Sequence, residues 1–200
     1  MQPSESRMIS MMQPHEDAGE NANWEAAERI WNSAFPSDYR WFMEIYGLGA
    51  IENCLAILAP DGVVSSDAPD SGMLEETENA RGVFYGDGAT GGPIEAAEQI
   101  ICWGVDSGSD LLCWLSDSGD PDRWPVLVWD RASGNWTVYE CGMVEFLCKV
   151  FAGEFDECPL SVADIWQCER PRFVHWRLER SRRQDGLDPV TGEPEEWANP

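Results

Sequence analysis

Between residues 99 and 139 the chain repeats one pattern: a short apolar run followed by a cluster of turn formers. The runs are Gln99–Val105, Asp110–Leu115, Trp124–Trp129 and Trp136–Tyr139. Between them lie Asp106-Ser107-Gly108-Ser109, Ser118-Gly119-Asp120-Pro121-Asp122 and Ala132-Ser133-Gly134-Asn135. Strand-like runs joined by such short, Gly/Asp/Ser/Asn/Pro-rich connections fold as an antiparallel meander. Val126-Leu127-Val128-Trp129 is apolar on both faces, which predicts a central strand covered on each side.

Helical patterns flank the meander. Trp24, Ala27, Ile30 and Trp31 fall at helical spacing. Ser37 or Asp38 can cap a second helix whose apolar face is Tyr39, Phe42, Met43 and Tyr46, with Gly47 as its left-handed stop. Ala50–Leu58 reads as one strand. Residues 60–80 read as an acidic loop with a helix over Met73–Ala80, and Gly86–Pro93 as a flexible turn. Met143, Phe146, Leu147, Val150 and Phe151 make the clearest helix, ended by Gly153. The fold class is therefore α+β: a mostly antiparallel sheet of about five or six strands packed against N-terminal and C-terminal helices. Residues 21–168 are expected to form this domain. Residues 1–20 are expected to be a disordered leader, and 169–200 an Arg-rich segment with a disordered tail. Within that segment the alternation around Val174, Trp176 and Leu178 predicts an edge strand, with a helix as the alternative.

Charge limits the partners. Aspartate and glutamate outnumber lysine and arginine by 37 to 13, a formal net charge of −24. All of that excess sits before residue 170, because the last segment holds six acids and six bases. Such a field repels nucleic acid and anionic lipid and attracts basic proteins. Arg170, Arg172, Arg177, Arg180, Arg182 and Arg183 are accordingly expected to associate with the acidic body rather than with RNA. Seven cysteines without a CxxC pair, several inside apolar runs, suit buried thiols in a reducing compartment. No signal peptide or apolar run of about 18 residues is present, so a cytoplasmic location is expected.

Motifs for catalysis and cofactors are weak. Gly86-x-Gly88-x-x-Gly91 matches a dinucleotide fingerprint in letters, but it lacks a strand feeding it and contains Asp87, which would repel phosphate. Lys149 is the only lysine and follows no Gly-rich loop, which argues against Walker-type, kinase and Schiff-base chemistry. The two histidines, His15 and His175, sit at the margins, and His175 reads as an ordinary half-exposed ring. No cofactor or metal is expected. Asp117, Asp120 and Asp122 read as a solvated turn.

Several stretches together resemble the SUKH superfamily, the Smi/Knr type. Phe35-Pro36-Ser37-Asp38-Tyr39-Arg40-Trp41-Phe42, running on to Tyr46-Gly47-x-Gly49-x-Ile51, resembles the family's opening. Trp103-Gly104-x-Asp106 with Leu112-Cys113-Trp114 looks like its paired strands. Trp124–Asp130 resembles its central strand, and Met143–Leu147 its closing helix. The resemblance implies a non-enzymatic protein-binding role, in bacteria commonly that of an immunity protein neutralising a toxin domain, often a nuclease. The expected partner is thus a basic protein, with neither nucleic acid nor membrane bound. Its expected contacts are Asp67, Asp70, Glu75, Glu76, Glu78, Asp117, Asp120 and Asp122, with Trp41 and Trp124 as aromatic anchors. The rivals are a regulatory domain with an endogenous partner and an enzyme working through carboxylates. The enzyme predicts a deep pocket lined by acids with shifted pKa values.

Overall fold

In the computed structural model, which describes residues 2–16, 18–60, 68–69, 72–86, 94–117 and 119–194, the meander folds as four strands. They are β3 (Ile100–Asp106), β4 (Leu111–Leu115), β5 (Val126–Asp130) and β6 (Asn135–Tyr139). Three further strands complete one antiparallel sheet: β1 (Gly49–Ile51), β2 (Leu55–Ile57) and β7 (Phe173–His175), in the order β6-β5-β4-β3-β2-β1-β7. The sheet has seven strands rather than five or six for two reasons. Ala50–Leu58 is a hairpin instead of one strand, turning at Glu52 and Asn53, both at positive φ (50° and 52°). Asparagine tolerates that conformation, but without a glycine the turn hides inside an apolar run. The second addition is β7, from the Arg-rich segment. Strand β5, expected to be central, lies second from the edge, yet Val126, Leu127, Val128 and Trp129 are all buried.

Alternation along β4 separates the layers on the two sides of the sheet. Trp114 faces α3 (Ser37–Ile45), meeting Tyr39 edge-on with ring centroids 4.9 Å apart. Trp103 on β3 meets Phe146 of α5 (Met143–Ala152) on the same side. The neighbouring Cys113 points the other way, under α4 (Met73–Gly86), where Thr77 accepts the Cys102 N–H at 3.0 Å. The expected apolar face of α3 is the one buried: Tyr39, Phe42, Met43 and Tyr46 are all fully inaccessible. Each buried phenol is satisfied, since Tyr39 donates to the Leu58 carbonyl (2.6 Å) and Tyr46 to the Met12 carbonyl (2.5 Å).

Helix capping is done across the molecule. The sequence expectation that Ser37 or Asp38 caps α3 is not met; the N-cap is Pro36, which offers no side-chain acceptor. The Ser37 N–H instead donates to Asp122, 85 residues away, at 2.5 Å. Asp38 accepts the Val144 N–H at 3.0 Å and so serves the start of α5. Gly142 makes room for this, because a Cβ there would stand 2.7 Å from the Asp38 carboxylate. Burial raises the Asp38 carboxyl, and the Val144 N–H opposes that rise.

Both expected disordered ends carry structure. Residues 3–11 form α1 (Pro3–Met11), which packs on α5, buries Met8 with Met12 just beyond it, and ties Arg7 to Glu154. Scattered methionines among polar residues conceal this amphipathic face from a periodicity reading. After β7 comes α6 (Trp176–Gln184), so the segment is strand and helix in succession. Residues 187–194 fold back through a Leu187–Pro194 bridge and Arg182 bonds to the Pro189 and Val190 carbonyls. Residues 195–200 lie outside the described residues.

The two ends meet at a buried carboxylate. Glu20 accepts from the Trp176 indole (2.6 Å), pairs with His175 Nε2 (3.0 Å) and binds Arg177 (3.1 Å). His175, expected to be half-exposed, is fully buried. Its Nδ1 accepts the Arg177 N–H and caps α6, which leaves the proton on Nε2 to face Glu20. Gly47, at φ 78°, permits the approach, since a Cβ there would lie 2.9 Å from the His175 ring. Burial holds the His175 pKa below its usual 6.5, with Glu20 pulling the other way.

Two outcomes test this architecture. An unfolded chain protonates His175 near pH 6.5 while the folded chain resists, so the neutral ring's stabilisation is complete above that pH and lost below it. The melting temperature of His175→Gln should therefore fall below wild type at pH 7.5, with the gap narrowing by pH 5. A gap independent of pH would refute the assignment. Asp38→Ala should cost about 1 kcal/mol through loss of the α5 cap, a drop of about 2–4 °C in melting temperature for a domain of this size.

Candidate functional site

The wet face of α3 carries Ser37, Arg40, Trp41 and Glu44, at i, i+3, i+4 and i+7. Across from it runs the turn Asp117–Asp122, whose one-turn 3₁₀ helix Pro121–Arg123 is capped by Asp120 (3.1 Å to the Asp122 N–H). Between them lies an open groove of about 360 Å³, floored by Ala34, Phe35 and Pro121 and rimmed by Trp41, Glu44, Asp120 and Asp122. The Asp122–Ser37 hydrogen bond fixes its width. Arg40 also lines it, but its charge is taken by Glu28 (3.1 Å), and its guanidinium lies over the Trp24 ring. Glu44 and Asp120 form no ion pair among the described residues, so the rim is acidic.

The structure brings together three of the expected contact residues, Trp41, Asp120 and Asp122. Asp117 stays in the same turn, but it is a structural acceptor for the Trp124 indole (3.2 Å) and the Gly119 N–H (2.8 Å). Trp124 itself is 3% exposed, so it belongs to the core and offers no anchor. Glu75 and Glu78 are exposed and Glu76 half-buried on α4, across the sheet from α3. Asp67 and Asp70 lie outside the described residues. Sequence reasoning missed Glu44 and Phe35. The spacing of Trp41 and Glu44 on α3 could have found the first, whereas the 85-residue bridge from Asp122 left no local signal.

The acids that come close to one another elsewhere are committed to the fold. Asp38, Asp122 and Glu145 line a recess of about 170 Å³ beside the groove. Two of them cap helices, and Glu145 pairs with Lys149 at 2.7 Å. Asp106 and Asp110 are the closest match to a catalytic carboxylate pair. Burial, reinforced by the Asp110 charge, pushes the Asp106 carboxyl up to about 6. Yet Asp106 accepts the Gly108 and Asp110 N–H groups, and Asp110 accepts from Arg131 N, Ser161 N and Ser161 Oγ. This pair pins three loops together and lines none of the cavities described above. Among the described residues no group of three His, Cys, Asp or Glu could hold a metal ion, and no helix is long and apolar enough to cross a membrane. The residues before Gly88 in the glycine fingerprint, Val83–Tyr85, are helical rather than a strand; residues 87–93 are outside the described set.

A family model described as SMI1-KNR4 cell-wall, SUKH_6, matches residues 21–147, more than half the chain and nearly all of the sheet. The chain belongs to the SUKH superfamily. No curated protein matches it. The match covers α2 (Trp24–Trp31), α3, both sides of the groove and the start of α5. In this SUKH domain α1, β7 and α6 are built from residues outside the matched span.

The different duties of the two tryptophans can be separated by urea denaturation. Trp124→Ala should destabilise by about 3–5 kcal/mol, as expected for a buried indole. Trp41→Ala, on the groove rim, should cost about 1 kcal/mol. Equal losses would mean that Trp41 is a core residue.

Proposed function

We propose that this SUKH protein is an immunity protein that binds and occludes a basic toxin domain, with the α3–Asp122 groove as the contact surface. The observation carrying this reading is the groove's composition: Trp41 set among Glu44, Asp120 and Asp122, on a chain of net charge −24. A nuclease grips phosphates with cationic residues, and an acidic surface both fits such a site and steers encounter, with association rates up to ~10⁸–10⁹ M⁻¹s⁻¹ at low salt. A half-buried tryptophan within an acidic rim has the makings of a binding hot spot. An ordinary complex would bury about 1,600 Å², so contacts would reach beyond the groove. Seven free thiols suit action in the cytosol. The superfamily is not known for catalysis, and the acids that meet in this fold serve as helix caps and loop clasps.

The test is binding to the toxin-type protein encoded beside this chain's gene, measured across a salt series. Trp41→Ala with Glu44→Lys should weaken binding by about 100-fold or more and flatten the salt dependence. Glu75→Lys with Glu78→Lys on α4 should change it by less than about threefold. The reverse ranking would move the site to α4. An adjacent toxin that is not bound at all would favour a regulatory domain with an endogenous partner.

A further inference from the structure

We propose that the cleft between the end of α1 and the C-terminal segment is a binding site for a small organic phosphate. This cleft encloses about 460 Å³ and lies away from the α3 groove. Ser10, Met11, Gln13 and His15 form one wall; residues Arg170–Val174 with Leu178, Arg182 and Val190 form the other. Three arginines line it, and no aspartate or glutamate does. In a chain with 37 acids and 13 bases, that lining inverts the prevailing charge. Every lining residue also falls outside the span 21–147, so the site is an addition to the SUKH domain rather than part of its matched core.

The arginines are held in different ways, which gives the cleft both rigidity and free charge. Arg182 is fixed by bonds to the Pro189 and Val190 carbonyls (2.5 and 3.0 Å), acceptors that leave its full positive charge in place. Arg172 is oriented by Glu52, with contacts of 2.9 and 3.2 Å, and part of its charge is cancelled. Arg170 is exposed and forms no ion pair among the described residues. Planar guanidinium forks match phosphate oxygens in geometry and charge. Phe173, Leu178 and Val190 supply an apolar wall for an organic group, and the volume is in the range of small-molecule sites, roughly 300–1,000 Å³. Size and field both select against long polyanions. A nucleic acid reaching this cleft would have to run along a body that carries the −24 charge, whereas one phosphate can enter alone.

The probe is phenyl phosphate, titrated into the full chain at pH 7.5 and constant low ionic strength, followed by amide NMR shifts and calorimetry. Saturable shifts at Phe173, Leu178 and Arg182 are expected, with inorganic phosphate weaker and phenol inert. Arg170→Ala should keep the wild-type melting temperature and lose about tenfold or more in affinity, and Arg170→Lys should recover part of it. The proposal is overturned if no saturable shift appears in the cleft, if Arg170→Ala binds as well as wild type, or if inorganic phosphate matches phenyl phosphate. An acidic peptide that binds the cleft more tightly than phenyl phosphate would overturn the small-ligand assignment. None of these outcomes involves the toxin-type partner, so the cleft and the groove stand or fall separately.

Discussion

The contact of Tyr39 with Trp114 sets the relation between helix and sheet on which the rest of the fold depends. Two large rings meet edge-on at 4.9 Å with no solvent access, and the phenol is satisfied by the carbonyl of Leu58 at the end of the first hairpin. One side chain therefore joins α3 to β4 by packing and to the chain after β2 by hydrogen bonding. An aromatic pair of this kind adds about 0.5–1.5 kcal/mol beyond the area it buries, and the cost of an unpaired buried hydroxyl is avoided. With α3 seated, Phe42 and Tyr46 meet Phe173 on β7, and the strand that closes the far edge of the sheet gains its inner face.

Seating α3 also fixes the acidic rim. The helix begins at a proline, whose position leaves the Ser37 N–H to be satisfied from outside, and Asp122 does so from the turn before β5. The same helix sends Asp38 to the start of α5, where Gly142 leaves space for it. Two carboxylates thus stitch three elements together at the helix N-termini, where negative charge is favoured. Each cap uses only part of its carboxylate, and Asp122 keeps an oxygen for the groove. A chain with this much acid can use some as structural acceptors and leave others, such as Glu44, facing solvent.

Polarity is reversed where the two ends of the chain meet, beside the C-terminal end of α3. Glu20 is buried among His175, Trp176 and Arg177 and draws the neutral C-terminal segment onto the acidic body, as the charge asymmetry of the sequence anticipated. That docking leaves Arg170 and Arg182 beside the end of α1. The domain thus presents an acidic aromatic groove within its family core and a cationic cleft in its added segments.

Much of this was legible in the sequence, and the limits have a common cause. The apolar face of α3, the helix Met143–Ala152 and the four meander strands were readable because periodicity and turn chemistry are local properties, set by residues a few positions apart. The α+β class followed from their order. What only the tertiary structure decided depends on residues far apart in the chain. It folds residues 3–11 as a helix by giving Met8 and Met12 a core to enter, and it places β5 near an edge although its residues are buried on both faces. It turns His175 from a marginal residue into a buried cap and takes Trp124 out of the binding set by hiding its indole behind Asp117. It also brings Trp41, Asp120 and Asp122 to one groove while leaving Glu75, Glu76 and Glu78 across the sheet. A side chain's own chemistry is written in the sequence, but its exposure and its neighbours are fixed only when distant segments pack.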